Sequence, residues 1–292
     1  MASIGTNSLP VTGVARRQSQ FVFDRLARYS HRLSKRPTPE TVHHFRTNSR
    51  RVETLITDLA PESHHKKKTL KLISKLRKKA GKVRDLDVQL AFLNDLKMPD
   101  RQNHRSQLSK TLAEEHAYRS AKLAKLVNSV TTKELRKRLR RESAVMNLDG
   151  IDPLRLAYTA LPNPGHAPMS EKALHSCRIA ARRARYLAEL AGEAHEAKFF
   201  VEQLKHAQDA IGEWHDVLKL KQKAEERFGS ASDSALVSML QNISRSRFRG
   251  ATNSLFRSLA NLSERRQAKL SFTPLDRKFV ASDVAAQRAA VA

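Results

Sequence analysis

Apolar residues recur every three to four positions through most of the chain, and prolines and glycines interrupt the pattern at intervals. This period predicts helices over about residues 14–35, 39–59, 66–80, 84–97, 101–129 and 132–145. A second series is predicted over about 152–161, 170–191, 195–211, 213–228 and 233–262. Thr38-Pro39 and Asp152-Pro153 read as helix starts, a capping oxygen followed by proline at the first helical position. Gly81, Gly192 and Gly212 read as helix stops, because glycine closes a helix in the left-handed conformation at little cost. The helices fall into two series, about 14–145 and 152–262, and the Pro- and Gly-rich stretch from Leu161 to Pro168 is the clear mid-chain loop, dividing the chain into unequal halves. Residues 1–13 read as a flexible lead-in, and 263–292 as a partly disordered tail in which periodicity fades.

Composition agrees with an all-α fold. Only 9 Gly, 10 Pro and 5% aromatic residues leave little for an all-β design, while 40% hydrophobic residues suffice for a core. Charge is more telling. Lys and Arg number 55 against 29 Asp and Glu, a net charge of +26, with an isoelectric point near 10.7. That is the balance of a polyanion binder. The single cysteine, Cys177, excludes an internal disulfide and a cysteine-built zinc site, which fits a reducing compartment. No apolar run reaches the roughly 18 residues of a membrane span, and the first 14 residues lack a signal-peptide core. A cytoplasmic location is expected. The runs Lys66-Lys67-Lys68 and Arg136-Lys-Arg-Leu-Arg-Arg141 would serve nuclear entry in a eukaryote.

The most informative feature is an internal repeat. His43-His-Phe-Arg46-Thr-Asn-Ser-Arg50-Arg51 and His175-Ser-Cys-Arg178-Ile-Ala-Ala-Arg182-Arg183 both read H-x-x-R-x-x-x-R-R. Downstream, Gly81-Lys-Val-Arg84-Asp85 is matched by Gly212-Glu-Trp-His215-Asp216. Asp85 follows His43 by 42 positions and Asp216 follows His175 by 41. The duplication predicts two pseudo-symmetric antiparallel helical bundles.

On a helical wheel His43, Arg46 and Arg50 form one stripe, and Phe45, Val52, Leu55, Ile56 and Leu59 gather opposite as a core face. In the second copy His175, Arg178, Arg182 and Arg185 lie together, opposite Cys177, Ala180, Ala184, Leu187 and Ala191, whose small side chains admit a close partner. The helix after each motif adds lysines: Lys67, Lys71 and Lys78 in the first half, Lys198 and Lys205 in the second. Side by side, these stripes would make one basic central groove. Charge runs are usually solvated surface, but such surfaces interleave both signs. These motif faces are almost wholly cationic, and like charges at i, i+4 destabilise a helix. That the cost recurs at matching positions points to a ligand. Arginine grips phosphate oxygens bidentately, lysine acts as a mobile point charge, and histidine donates a further hydrogen bond.

Asp85 and Asp216 are placed by this reading in the first turn of a new helix, favouring its dipole and orienting nearby Arg or His side chains. No histidine pair has metal-ligand spacing, and there is no Gly-rich phosphate loop, so neither metal, cofactor nor catalytic group is assigned.

The repeated H-x-x-R-x-x-x-R-R, Arg84-Asp-Leu-Asp-Val88, and Leu204-Lys205-x-x-Gln208-x-x-x-Gly212 together resemble the conserved histidine α-helical domain, CHAD, over about residues 14–262. The resemblance implies two helical bundles and non-catalytic binding of inorganic polyphosphate in a basic channel, with a possible home on polyphosphate granules. It implies phosphate contacts from His43, Arg46, Arg50, Arg51, His175, Arg178, Arg182 and Arg183. The chain departs from the pattern where Ser74 stands opposite Lys205, and where His215 stands opposite Arg84. The triphosphate-processing domain that often accompanies the family is not expected in flanks this short. The principal alternative partner is a nucleic acid, which any basic groove attracts. Base recognition needs aromatic platforms, and the motif helices hold only Phe45, on the core face, and Tyr186.

Overall fold

The structure is a computed structural model that describes residues 11–163 and 169–272, and all its regular structure there is helical. The expectations for residues 1–10, for 164–168 and for the last twenty residues lie outside the described residues. Five elements make the first half: α1 (Val11–Lys35), α2 (Pro39–Leu59), α3 (His64–Asp95), α4 (His104–Leu126) and α5 (Ser129–Val145), and the short α6 (Pro153–Thr159) opens the second. Then come α7 (Glu171–Ala188), a 3₁₀ turn (Glu189–Ala191), α8 (His195–Phe228) and α9 (Ala235–Phe272).

The starts follow the predicted chemistry. Thr38 caps α2 through a reciprocal exchange with Thr41, Pro39 occupying the first turn, and Asp152 accepts from the Leu154 and Arg155 amides ahead of α6. Gly192 closes the 3₁₀ turn with φ of +66°, as expected of a glycine stop.

Two expected breaks are absent. Gly81 and Gly212 do not end helices: α3 runs unbroken from His64 to Asp95, and α8 from His195 to Phe228. A Cβ on Gly81 would stand 3.3 Å from Nε of Arg46, and one on Gly212 would stand 3.4 Å from a guanidinium nitrogen of Arg178. These glycines are gaps in a helix surface across which the motif arginines lie. Asp85 and Asp216 are consequently mid-helix, and the expected dipole role fails. Likewise α9 continues ten residues past the predicted end at 262.

Short connections make successive helices antiparallel neighbours. In the first half, Phe23, Leu26 and Leu33 of α1 pack with Val42, Phe45, Leu55 and Ile56 of α2, Ile73 and Leu76 of α3, and Leu135 and Leu139 of α5. In the second, Ala181, Ala184 and Leu187 of α7 admit Phe200 and Leu204 of α8, while Trp214 packs with Cys177, Ala251 and Leu255. The alanines allow the approach foreseen from sequence: Gln208 of α8 donates to the Ala181 carbonyl at 2.9 Å. A further cluster joins the halves, Leu86 and Leu93 of α3 and Leu108 and Leu112 of α4 meeting Val217 and Leu220 of α8 and Leu236 and Leu240 of α9. Both halves are thereby held around the motif helices. No helix among the described residues is long and apolar enough to cross a membrane.

Candidate functional site

The motif helices α2 and α7 run antiparallel against each other, and two ion pairs set their register. Arg51 donates through Nε and a terminal nitrogen to Glu189 at 2.6 and 3.0 Å, and Arg183 donates to Asp58 at 2.8 Å through both nitrogens. Each final arginine of H-x-x-R-x-x-x-R-R thus reaches an acid from the other half. Arg51 also lies over the Tyr186 ring, 5.2 Å from its centroid. The side chains foreseen as phosphate contacts are here engaged by carboxylates, and neither lines the central cavity.

That cavity has a volume of about 410 Å³ and lies where α2 and α7 meet α3 and α8. His43, Arg46 and Arg50 enter from α2, and Arg178, Arg182 and Arg185 from α7. Arg84 of α3 joins them. Six of the fourteen residues expected to bind are therefore brought together. His175 stands just outside the lining, its ring 5.3 Å from that of His215. Lys67, Lys71, Lys78 and Lys205 are exposed and outside the lining, and Lys198 pairs with Glu193 at 2.7 Å beside a different cavity. The predicted long lysine-flanked groove is instead a compact arginine cavity.

Two residues that sequence reasoning left unassigned help to shape it. Arg84 and Lys219 became legible only once α3 and α8 proved continuous, because each then shares a face with its helix's glycine at helical spacing. Asp85 accepts from Arg46 at 3.2 Å and from Lys219 at 2.9 Å, so it orients an arginine as foreseen, though from mid-helix. Burial opposes ionisation of Asp85, yet Arg46 and Lys219 hold its carboxyl below the usual range. Asp216 goes the other way: burial raises it against the pull of Arg178, with Asp85 adding repulsion.

The arginines bear the electrostatic strain. Among the described residues Arg50, Arg178 and Arg182 form no ion pair, although each is largely withdrawn from water. Burial, followed by repulsion from Arg46 and Arg182, pushes Arg50 down to about 9. Burial, with Arg178 and Arg46 close by, pushes Arg182 to about 10. Both remain protonated at neutral pH, so the chain holds cations where they are disfavoured. Burial foremost, then Arg178 and Lys219, pushes His215 to about 3, and burial and neighbouring arginines lower His43 and His175 as well. A charge withdrawn from water is costly unless paired, so the chemistry of this arrangement suits an anion with several oxygens.

No curated protein matches the chain in sequence. Several solved structures share its fold. The crystal structure of the CHAD domain from the plant Ricinus communis superposes with a TM-score of 0.65 at 17% identity, covering 87% of this chain and 91% of that one. PptA from Streptomyces chartreusis superposes with a TM-score of 0.59 at 13% identity, covering 86% and 98%. The CHAD domain family profile matches residues 18–224, which span both motif copies, both helix-surface glycines and every arginine of the cavity. With that match over most of its length and this fold, the chain belongs to the CHAD domain family.

Proposed function

We propose that the chain binds inorganic polyphosphate in the central cavity and does no chemistry on it. The observation that carries this reading is the trio Arg50, Arg178 and Arg182, half-buried, without ion-pair partners among the described residues, and converging from both halves on one space. A phosphate chain offers oxygens on every side and fits a narrow space between four helices. The site suits bases poorly: among the described residues Tyr186 is the one Phe, Tyr or Trp in the lining, and it is buried with Arg51 and Arg185 lying 5.2 and 5.3 Å from its ring centroid. It offers no open face for stacking. The family's association with polyphosphate supports the same ligand.

Direct competition tests this. At about 0.15 M salt, where exposed charges more than about 8 Å apart are screened, long polyphosphate should displace labelled duplex DNA and RNA from the protein. The same mixtures with Mg²⁺ should release no phosphate above a protein-free control. Displacement in the reverse direction would make nucleic acid the ligand, and sustained release would make the protein an enzyme.

Protonation provides a second test. A base whose pKa is lowered on folding binds fewer protons folded than unfolded, so His43, His175 and His215 cost stability as pH falls below about 6.5, the ordinary histidine value. For His215 that loss deepens towards its folded value of about 3. A polyanion reverses the repulsion and raises all three, so binding takes up protons. Polyphosphate should therefore bind several-fold more tightly at pH 5.5 than at pH 8 (roughly one unit either side of the histidine range). The calorimetric binding enthalpy should vary with the ionisation heat of the buffer. Equal enthalpies in all buffers would place the histidines off the ligand's path.

A further inference from the structure

A second cationic groove lies outside the central cavity. It runs between α1 and α5, holds about 410 Å³, and is walled by Arg28 and Arg32 from α1 and by Arg136 and Arg140 from α5. Contacts along the two helices set them antiparallel: Arg16 reaches Asp149 at 3.4 Å, and Ser143 donates to Gln20 at 2.7 Å. Carried onward, that register puts Arg28 opposite Arg136, with Arg32 one turn further along the wall. The floor is apolar, with Phe23 and Leu139 each 2% exposed.

The acids that would neutralise this groove are engaged elsewhere. Glu134 pairs with Arg138 at 2.6 Å, and Glu142 is buried and accepts from Thr69 at 2.9 Å. Asp24, the one carboxylate in the lining among the described residues, accepts from Gln20 at 3.1 Å. Among the described residues none of the four arginines is in an ion pair, and all four are exposed. On both helices like charges stand at i, i+4, an arrangement unfavourable in the isolated helix. Such a surface is matched by an external anion.

The groove is also joined to the cavity by a row of side chains. His43 lines the cavity; His44 follows it, the two rings 5.5 Å apart. Tyr29 stacks on His44 at 4.7 Å, and Arg32 lies 5.5 Å from the Tyr29 centroid. A chain leaving the cavity past His43 would cross this row onto Arg32. From this juxtaposition we infer that the α1/α5 groove is a second phosphate-chain site, which takes the part of a long polyphosphate that the central cavity does not hold. The inference rests on the proposed polyphosphate ligand. It also gives a role to the Arg136–Arg141 run, which the cavity leaves unused.

Chain length separates the two sites. A variant carrying Arg28→Gln, Arg136→Gln and Arg140→Gln should bind tripolyphosphate as the native protein does, because a short chain reaches the cavity alone. It should bind long-chain polyphosphate roughly 10- to 100-fold more weakly, as tethering to a second site is lost. Its salt slope should fall by about one for each arginine removed. These substitutions are at exposed positions, and helical circular dichroism checks that the fold persists. An unchanged affinity for long polyphosphate would overturn the inference. So would a variant that loses only duplex DNA or RNA affinity, which would make the groove a nucleic-acid site. A companion variant, Arg50→Gln with Arg182→Gln, should keep weak long-chain binding that the three groove substitutions abolish. Should the companion bind as tightly as the native protein while the groove variant fails, the cavity reading falls and the groove is upheld as the phosphate-chain site.

Discussion

Replacing Arg50 and Arg182 together by glutamine should yield a protein that melts higher than the native chain and no longer holds polyphosphate through its cavity. The two side chains are half-buried, repel Arg46 and each other, and form no ion pair among the described residues. Removing both charges relieves that repulsion. Each kcal/mol of relief raises the melting temperature by about 2–4 °C in a chain of this size. Each lost charge-assisted contact costs binding about 1.5–3 kcal/mol, so together they weaken cavity binding by roughly 100-fold or more. The stability gain also has a pH signature. Because the native arginines titrate at about 9 and 10, well below the free value, their penalty is full below pH 9 and lifts as pH rises through those values. The difference in melting temperature between the two proteins should shrink from pH 7 to pH 10. A variant that melts lower at neutral pH and binds the polymer undiminished would show that these arginines are structural. The expected pair of results would mark these cations as stability given up for binding.

Substituting Arg51 by alanine should do the opposite, lowering stability and sparing the ligand. Arg51 and Glu189 are each 23% exposed, joined by two hydrogen bonds, and backed by the Tyr186 ring. Breaking this bond between the halves leaves Glu189 with only the longer contact to Arg185 at 3.7 Å. The expected cost is about 2–3 kcal/mol, between that of a surface and a fully buried pair. The melting temperature should fall by about 4–12 °C. Arg183→Ala, at the equivalent place in the second motif, should cost less than about 1 kcal/mol, because Arg183 is 56% exposed. Exchanging the charges, Arg51→Glu with Glu189→Arg, should recover much of the loss. Below its melting temperature the Arg51→Ala protein should bind polyphosphate within about two-fold of native, far less than one charge-assisted contact is worth. A loss as large as that from Arg50 would mean that Arg51 leaves Glu189 for the ligand.

The contrast between Arg50 and Arg51 marks how far the sequence could be read. They are neighbours in one motif, and the helical wheel correctly put Phe45, Val52, Leu55 and Ile56 in the core and the arginines away from it. A wheel gives a direction but not what waits there. Whether an arginine meets a carboxylate from 138 positions away, as Arg51 does, or other arginines, as Arg50 does, depends on how α2 and α7 are set against each other. The lysines show the same limit: Lys71 and Lys205 continue the stripes, but the cavity closes before reaching them.

Local chemistry was otherwise a good guide. The bounds of α2 follow directly from Thr38-Pro39 at one end and the end of the apolar period at the other, because a cap is satisfied within one turn. The repeat, the all-α class and the excess of positive charge are likewise local or compositional properties, and the sequence determined them alone. Gly81 and Gly212 could be recognised as a repeated pair, but their purpose could not. A missing Cβ suits both a left-handed helix stop and the close passage of another side chain, and only the position of Arg46 over α3 and Arg178 over α8 distinguishes them. The tertiary structure therefore decided which cations are withdrawn from water without partners. Burial and long-range pairing arise from the meeting of helices distant in sequence, and those two quantities set the energy of a charge.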